Sequence, residues 1–531
     1  MATDLSAVFP RLARYAPDDE TRCLCHAVHI DPFLRDFVLH TVVKPHLRAV
    51  CPAYGVDLVA VARHAVQSQR RWKIHGYALI VIRLILLAAL AVAILTGWLA
   101  VAAGILAGAL VAAWFNLFWV LRADHLAAVR VITDRTPPAE QADPLPPETE
   151  ERLRKLEKAN VIVYAQGEGD PFIGSGRRLH WYQLTPIDVT RSGRDSAGNQ
   201  KAIQPFDAVK LHQYLATQVP TLGFDGLNVR NRLYVRGDHA SDIAGLLPDP
   251  FAEPEPGIRS DWVKSGVKHP AEWARTYICM ERIMSGGDLV VSMYVRAWLE
   301  QDLLSIERII YFLPPLQRRY RPTHEYAAGT VVSVTIKAIS EASRRVMRVL
   351  AGRWIGRLRT PKFGRNRRRS ETRARRKIDA GVTFDYGART SLREAVAAYD
   401  TTEHFEETDV LDSAKRLSRR LMDCVESFLD DHGVDTSDFQ DQIQLITTSI
   451  SNIGTIQAAN AVIGGQGNII SGHGAVNNFG AQMPGAQPQP GVQPPRVIVN
   501  TCGSRSFRRL PGPPFQPRQV TDLRGARRAC R

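Results

Sequence analysis

YALIVIRLILLAALAVAILTGWLAVAAGILAGALVAAWFNLFWVL, residues 77–121, carries one charge, Arg83. As one straight helix this run would reach roughly 65 Å, about twice the hydrocarbon thickness of a bilayer, so it reads as two passes folded back on each other. The break is Thr96-Gly97-Trp98, where Gly supplies a turn and Trp favours the headgroup level, leaving arms of residues 77–95 and 98–121. Arg70, Arg71 and Lys73 precede the hairpin, Arg122, Arg130 and Arg135 follow it, and its turn is uncharged. The positive-inside rule therefore places both termini in the cytoplasm and the hairpin in the inner (plasma) membrane. Gly104 and Gly108 in GILAG are candidate packing positions. Small residues at that spacing let membrane helices approach closely, either within the hairpin or between two copies.

Around this anchor the composition bounds the rest. The 531 residues leave room for two or three further units, and 45% hydrophobic content suffices for real cores. The net charge of +15 is concentrated in two segments, twelve basic residues between Arg353 and Lys377 and nine Arg from Arg496 to Arg531. The remainder is mildly acidic, so the basic balance does not imply a nucleic-acid-binding fold. Seven scattered cysteines with no C-x-x-C pair fit a reducing compartment. Met1–Pro10 has no apolar core, so insertion is expected through the hairpin rather than a secretory signal.

The expected fold class is α+β: a transmembrane helical hairpin (75–122) with a cytoplasmic antiparallel-sheet domain, a C-terminal helical hairpin and a disordered tail. Residues 1–74 read as a helical cap. Its Cys23, Cys25, His26 and His29 have a C-x-C-H-x-x-H spacing that is not a common structural zinc pattern, so no metal is assigned. A proline-broken linker with a short charged helix (136–158) leads to the α+β domain, 159–352. There, strands are expected at 161–164, 179–189, 227–236, 275–284, 289–300 and 305–313, with a helix at 205–219. Ser292, Arg296 and Glu300 are expected on a solvated outer face.

The segment GEGDPFIGSG, 167–176, offers the candidate ligand-binding residues Gly167, Gly169, Gly174 and Gly176. A phosphate or nucleotide loop is one reading and a Gly-rich turn between strands the other, since neither the Walker nor the dinucleotide fingerprint is present. No H-E-x-x-H, G-x-S-x-G or kinase set occurs, catalytic residues are unassigned, and no cofactor is expected. Asp238, His239 and Asp242, or His269 with Glu272, read as solvated loop clusters before they read as sites.

An amphipathic helix at 330–350 places Val332, Ile336, Ile339, Val346 and Val349 on one face. It runs into a basic linker, 353–389. Arg353, Trp354, Arg357, Arg359 and Lys362 suit a segment on an anionic inner leaflet, with charge for headgroups and apolar wedges for the acyl boundary. Ser391-Leu-Arg-Glu394 reads as a capping box opening a helical hairpin, 390–453. A Gly/Asn-rich seven-residue repeat, 454–482, puts Ile456, Ile463 and Ile470 in register, and its Gly465-Gln466-Gly467-Asn468 resembles the centre of amyloid signalling motifs. Residues 483–531 read as a disordered Pro/Arg-rich tail.

The uncharged hairpin, the strand followed by PFIGSG, FLPPL at 312–316 and HGVDTSDF at 432–439 together resemble a family of uncharacterised two-pass membrane proteins of actinobacteria. That resemblance implies no activity. The expectation is a membrane-anchored cytoplasmic binding, scaffold or signalling protein without catalysis, whose partners are anionic lipid, a second copy of itself and an unidentified protein. The alternatives are a membrane-tethered enzyme or nucleotide-binding domain using GEGDPFIGSG, and a channel or transport component.

Overall fold

Asp57 accepts hydrogen bonds from the backbone N–H of Val59 (2.8 Å) and Ala60 (3.1 Å). With those first-turn donors satisfied, a helix begins at Leu58 and continues unbroken to Thr96. The computed structural model describes residues 18–44, 47–167, 170–195, 198–322, 331–350, 362–399, 404–437, 439 and 442. In it, α1 (Asp19–Ile30) and α2 (Pro32–Val38) precede α3 (Leu58–Thr96), which is followed by α4 (Leu99–Thr133). At 39 residues α3 is about 58 Å long, so helical cap and apolar arm share one rod. Between α3 and α4 Gly97 takes φ 73°, a left-handed cap that only a residue without Cβ adopts freely. Both helices are long and apolar enough to cross a membrane. Many of their large apolar side chains are exposed, Leu87, Val92 and Leu95 of α3 and Leu106 and Val111 of α4 among them.

The lower ends of α3 and α4 are gripped. Leu24, Val28 and Leu34 of α1 and α2 pack with Leu58, Val61 and Ala65 of α3, Val131 of α4 and Leu153 of α5 (Pro147–Glu157). Leu316, Tyr320 and Leu392 join the same core from the sheet side.

The strands are β1 (Val161–Tyr164), β2 (Arg177–Gln183), β3 (Ile187–Asp188), β4 (Leu227–Arg236), β5 (Ala274–Met284), β6 (Leu289–Glu300) and β7 (Leu303–Leu313). They form one seven-stranded sheet in the order β1-β4-β5-β6-β7-β2, with β3 also paired to β7. The expected antiparallel sheet is mixed, because β1 arrives from α5 and pairs in parallel with β4, Val161 opposite Leu233. From β4 to β7 neighbours are antiparallel, as the alternating patterns imply, with β5–β6 and β6–β7 joined as hairpins.

One face of the sheet carries Met280, Val291, Met293, Val295, Ile306 and Ile310 under α6 (Ala208–Gln218) and α11 (His404–Asp431). The stripe Val410, Ala414, Leu417, Leu421 and Phe428 of α11 belongs to this core, and Phe439 is buried in it. That stripe therefore reads the sheet. The rest of the expected second helix lies outside the described residues, as do the seven-residue repeat and the tail. The opposite face is not solvated as expected. Ser292 is fully buried there beside Tyr294, and Arg296 stacks on Trp298 (4.3 Å) and pairs with Glu307 (3.4 Å), while Glu300 is exposed. The reason is that Phe172 of the Gly-rich segment enters a ring cluster of Tyr234, Tyr277, Tyr294 and Tyr311, closing that face as well.

Four further α-helices stand among the described residues: α7 (Ser260–Lys268), α8 (Val331–Leu350), α9 (Lys362–Asp379) and α10 (Leu392–Ala395). α8 packs along α4 through Ala338, Ala342 and, of the expected face, Val346, and Val334 is buried as well. Alanines four apart allow the closer approach, so the bulkier Val332, Ile336 and Ile339 stay outside.

A cleft between the helical layer and the sheet

At the Gly-rich segment Phe172 anchors the aromatic face and leaves the following backbone against α10. Gly174 (φ 93°) gives its N–H to Glu394 Oε2 at 2.9 Å, and Gly176 (φ 86°) donates to the same carboxylate. A Cβ on Gly176 would stand 2.3 Å from the Phe312 carbonyl oxygen, so only glycine fits. Glu394 is also the acid of the expected capping box: Ser391 Oγ accepts from the Glu394 N–H at 3.1 Å, and the carboxylate accepts from the Ser391 N–H. The backbone donors of Gly174 and Gly176 are thus given to a carboxylate of the chain itself. Gly167 faces open space, and Gly169 lies outside the described residues.

A cleft lies elsewhere. About 790 Å³ in volume, it runs between the loop Pro52–Leu58 on one wall and the ends of β4 and β5 on the other. Backbone meets backbone at its end: a Cβ on Gly287 would stand 2.7 Å from the Gly55 carbonyl oxygen, and both glycines have positive φ. The turn that carries Gly287 also holds Ser285 at φ 50°, strained for a residue with a side chain. The floor is Arg232, 1% exposed, paired with Glu281 and donating to Tyr54 Oη (3.2 Å) and the Ala159 carbonyl (3.1 Å). Burial opposes the charge on Arg232, but Glu281 and Tyr54 outweigh it and keep the guanidinium ionised. On the rim Arg230 donates to the Glu157 carbonyl, and Arg282 spans from Ser413 Oγ (2.9 Å) to the Phe224 ring. Asp57, Glu157 and Asp225 supply the opposite sign. The cleft can therefore hold a molecule bearing both charges through side chains fixed before it arrives.

Behind the Gly287 turn lies a second charged cluster. Arg393, fully buried, reaches Glu20 (3.4 Å) and the Asp288 carbonyl (2.8 Å), and Arg321 pairs with Asp288. Burial, then the neighbouring Asp288 carboxyl, push the Glu20 carboxyl up to about 8.

The cysteine–histidine motif of the N-terminal cap does not converge. His26 Nδ1 contacts the Ala128 carbonyl (3.0 Å), and His29 stands between His64 (3.0 Å) and Asp124 (3.5 Å). Asp124 also accepts from Ser68, Arg71 and Trp72. Among the described residues no group of three His, Cys, Asp or Glu is arranged to hold a metal. Of the other loop clusters, His239 and Asp242 pair at 2.7 Å while Asp238 is engaged by Arg236, and His269 and Glu272 are exposed. Gly104 and Gly108 stand on α4 with nothing within 4 Å of where a Cβ would be. Arg353, Trp354, Arg357 and Arg359 lie outside the described residues, and Lys362 opens α9.

Sequence reasoning missed the cleft residues. Arg232 and Glu281 look like the polar half of alternating strands, and no local signal marks them as buried. A model of the AbeC-like domain matches residues 180–468, starting inside β2 and leaving the helical layer, α3, α4 and β1 outside the match. No curated protein and no solved structure matches the chain.

Proposed function

Since the chain belongs to the AbeC-like domain family, whose match covers one wall of the cleft, we propose that it is a membrane-anchored binding or signalling protein without catalytic activity. In this reading α3 and α4 form the anchor in the inner membrane, both termini are cytoplasmic, and the cleft takes a ligand or peptide segment bearing both charges. One observation carries the reading. The wall Pro52–Leu58 leads into α3, with Asp57 both lining the cleft and capping the rod that continues into the apolar arm. An occupant that engages Asp57 or Gly55 acts on the first turn of the helix that reaches the membrane. The partners follow from the same architecture: anionic inner-leaflet lipid for the basic segment 353–362, and a second copy through the open Gly104/Gly108 face.

Native mass spectrometry of the full chain released from membranes tests this. Wild type is expected to retain a small molecule or peptide that Arg282→Glu loses at unchanged thermal stability. Chemical conversion of that molecule on prolonged incubation sinks the non-catalytic reading, and equal retention by the variant removes the site from the cleft.

A further inference from the structure

β4 is longer than its neighbour on one side. β5 pairs with Leu227–Val235, but β1 covers only Leu233–Arg236 on the other side. β1 starts no earlier because Asn160 is clamped to the segment beside it: its N–H goes to the Pro256 carbonyl (3.2 Å), and its side chain exchanges two hydrogen bonds with Ile258 (2.8 and 2.9 Å). Which backbone groups this leaves uncovered follows from the alternation of a strand. Leu233 donates to the Asn160 carbonyl on the β1 side, whereas the Gly226 carbonyl accepts from Ile283 on the β5 side. Val229 and Asn231, in step with Leu233, therefore turn their N–H and C=O groups to the β1 side. There they find no partner among the described residues, and both residues are only half-buried. This bare edge borders the cleft, whose lining includes Asn228 and Arg230 of the same strand.

We infer that the cleft binds an extended, basic peptide segment of a partner protein as an added strand along the Leu227–Asn231 edge of β4, in line with β1. Two observations select this occupant. A row of unpaired backbone donors and acceptors is matched by another strand, and native edges not meant for pairing are blunted by proline, charge or a covering element. The second is charge. Asp57, Glu157 and Asp225 line the cleft, whereas Arg232 is neutralised by Glu281 and Arg230 is spent on the Glu157 carbonyl. Strand alternation sends every second side chain of the peptide to the cleft face with Arg230, where a Lys or Arg meets these carboxylates. The others lie beside Leu227 and Val229, which border the main core and suit apolar residues. This inference rests on the reading of the cleft as the binding site.

The test is fluorescence anisotropy of a labelled peptide of alternating Lys and Val mixed with the detergent-solubilised full chain. Saturable binding is expected, and a Glu/Val peptide is expected not to bind. Two analogues, each N-methylated on one alternate set of amides, separate the two edges of the added strand. Methylation of the set turned to β4 is expected to weaken binding about tenfold, and methylation of the other set to leave it unchanged. Val229→Pro removes an outward N–H and no bond to β5, and is expected to weaken binding similarly at unchanged melting temperature. If that variant melts lower than wild type, the two analogues carry the test alone. Failure of the Lys/Val peptide to bind, equal effects of the two methylations, or equal binding of the Glu/Val peptide overturns the inference. In those cases a retained molecule that Arg282→Glu loses leaves the cleft reading standing, and retention unaffected by Arg282→Glu removes both.

Discussion

Two buried groups set opposing limbs of the pH dependence. Glu20 has its carboxyl raised from 4.5 to about 8, so the stability it contributes is fully present below 4.5 and is lost as pH rises through 8. His26 and His64 are pressed by burial from 6.5 down to about 4, so the stability they contribute is present above 6.5 and is lost as pH falls toward 4. Glu20→Gln keeps the shape of the side chain and removes its titration. Melting temperatures across this range are expected to show the variant gaining on wild type as pH rises from 4.5 to 8, while both fall alike on the acid side. A constant gap between them would mean that Glu20 is not held protonated. Nothing in DETRCLCH marks this Glu, because its proton is held by burial and then by the Asp288 carboxyl, against the opposing charge of Arg393, and both of those residues lie far along the chain.

At the scale of elements, α10 is four residues long, yet its capping box also fixes the Gly-rich segment. Glu394→Ala removes a carboxylate that serves the helix start and two glycine N–H groups together, and is expected to lower unfolding free energy by about 2 kcal/mol in urea titration. A loss no larger than that of an exposed helix substitution would show the carboxylate bond to be weak. The capping box was legible because its spacing is local. Its second partner was not, since Gly174 is brought to Glu394 only when Phe172 is drawn into the aromatic face. The same distinction governs α8, where the sequence shows an amphipathic helix and the alanine-lined approach of α4 decides which side is covered.

For the whole molecule, the proposed self-association has two candidate routes, the open Gly104/Gly108 face and the Gly/Asn repeat. Light scattering of the detergent-solubilised protein separates them. Gly104→Leu with Gly108→Leu is expected to reduce an oligomer to the monomer mass, because a branched side chain blocks the close helix approach that small residues allow. A chain stopped after Asn452 keeps its oligomeric mass if the membrane face suffices, and falls to the monomer if the repeat is required. An unchanged mass in the double Leu variant removes the GILAG face as an interface.

The sequence by itself determined the elements whose evidence is local: the apolar run and its glycine turn, the alternating strands β4 to β7, the capping box and the heptad-like stripe of α11. Each is written in spacing, and spacing survives without knowledge of a partner. Only the tertiary structure decided that α3 begins inside the cap, that β1 adds a parallel edge and that both sheet faces are buried. It also decided that Arg232, Glu281 and Asp57 share a cleft. These depend on which surfaces meet across hundreds of residues, and an alternating strand reads the same whether its second face meets water or a ring of tyrosines.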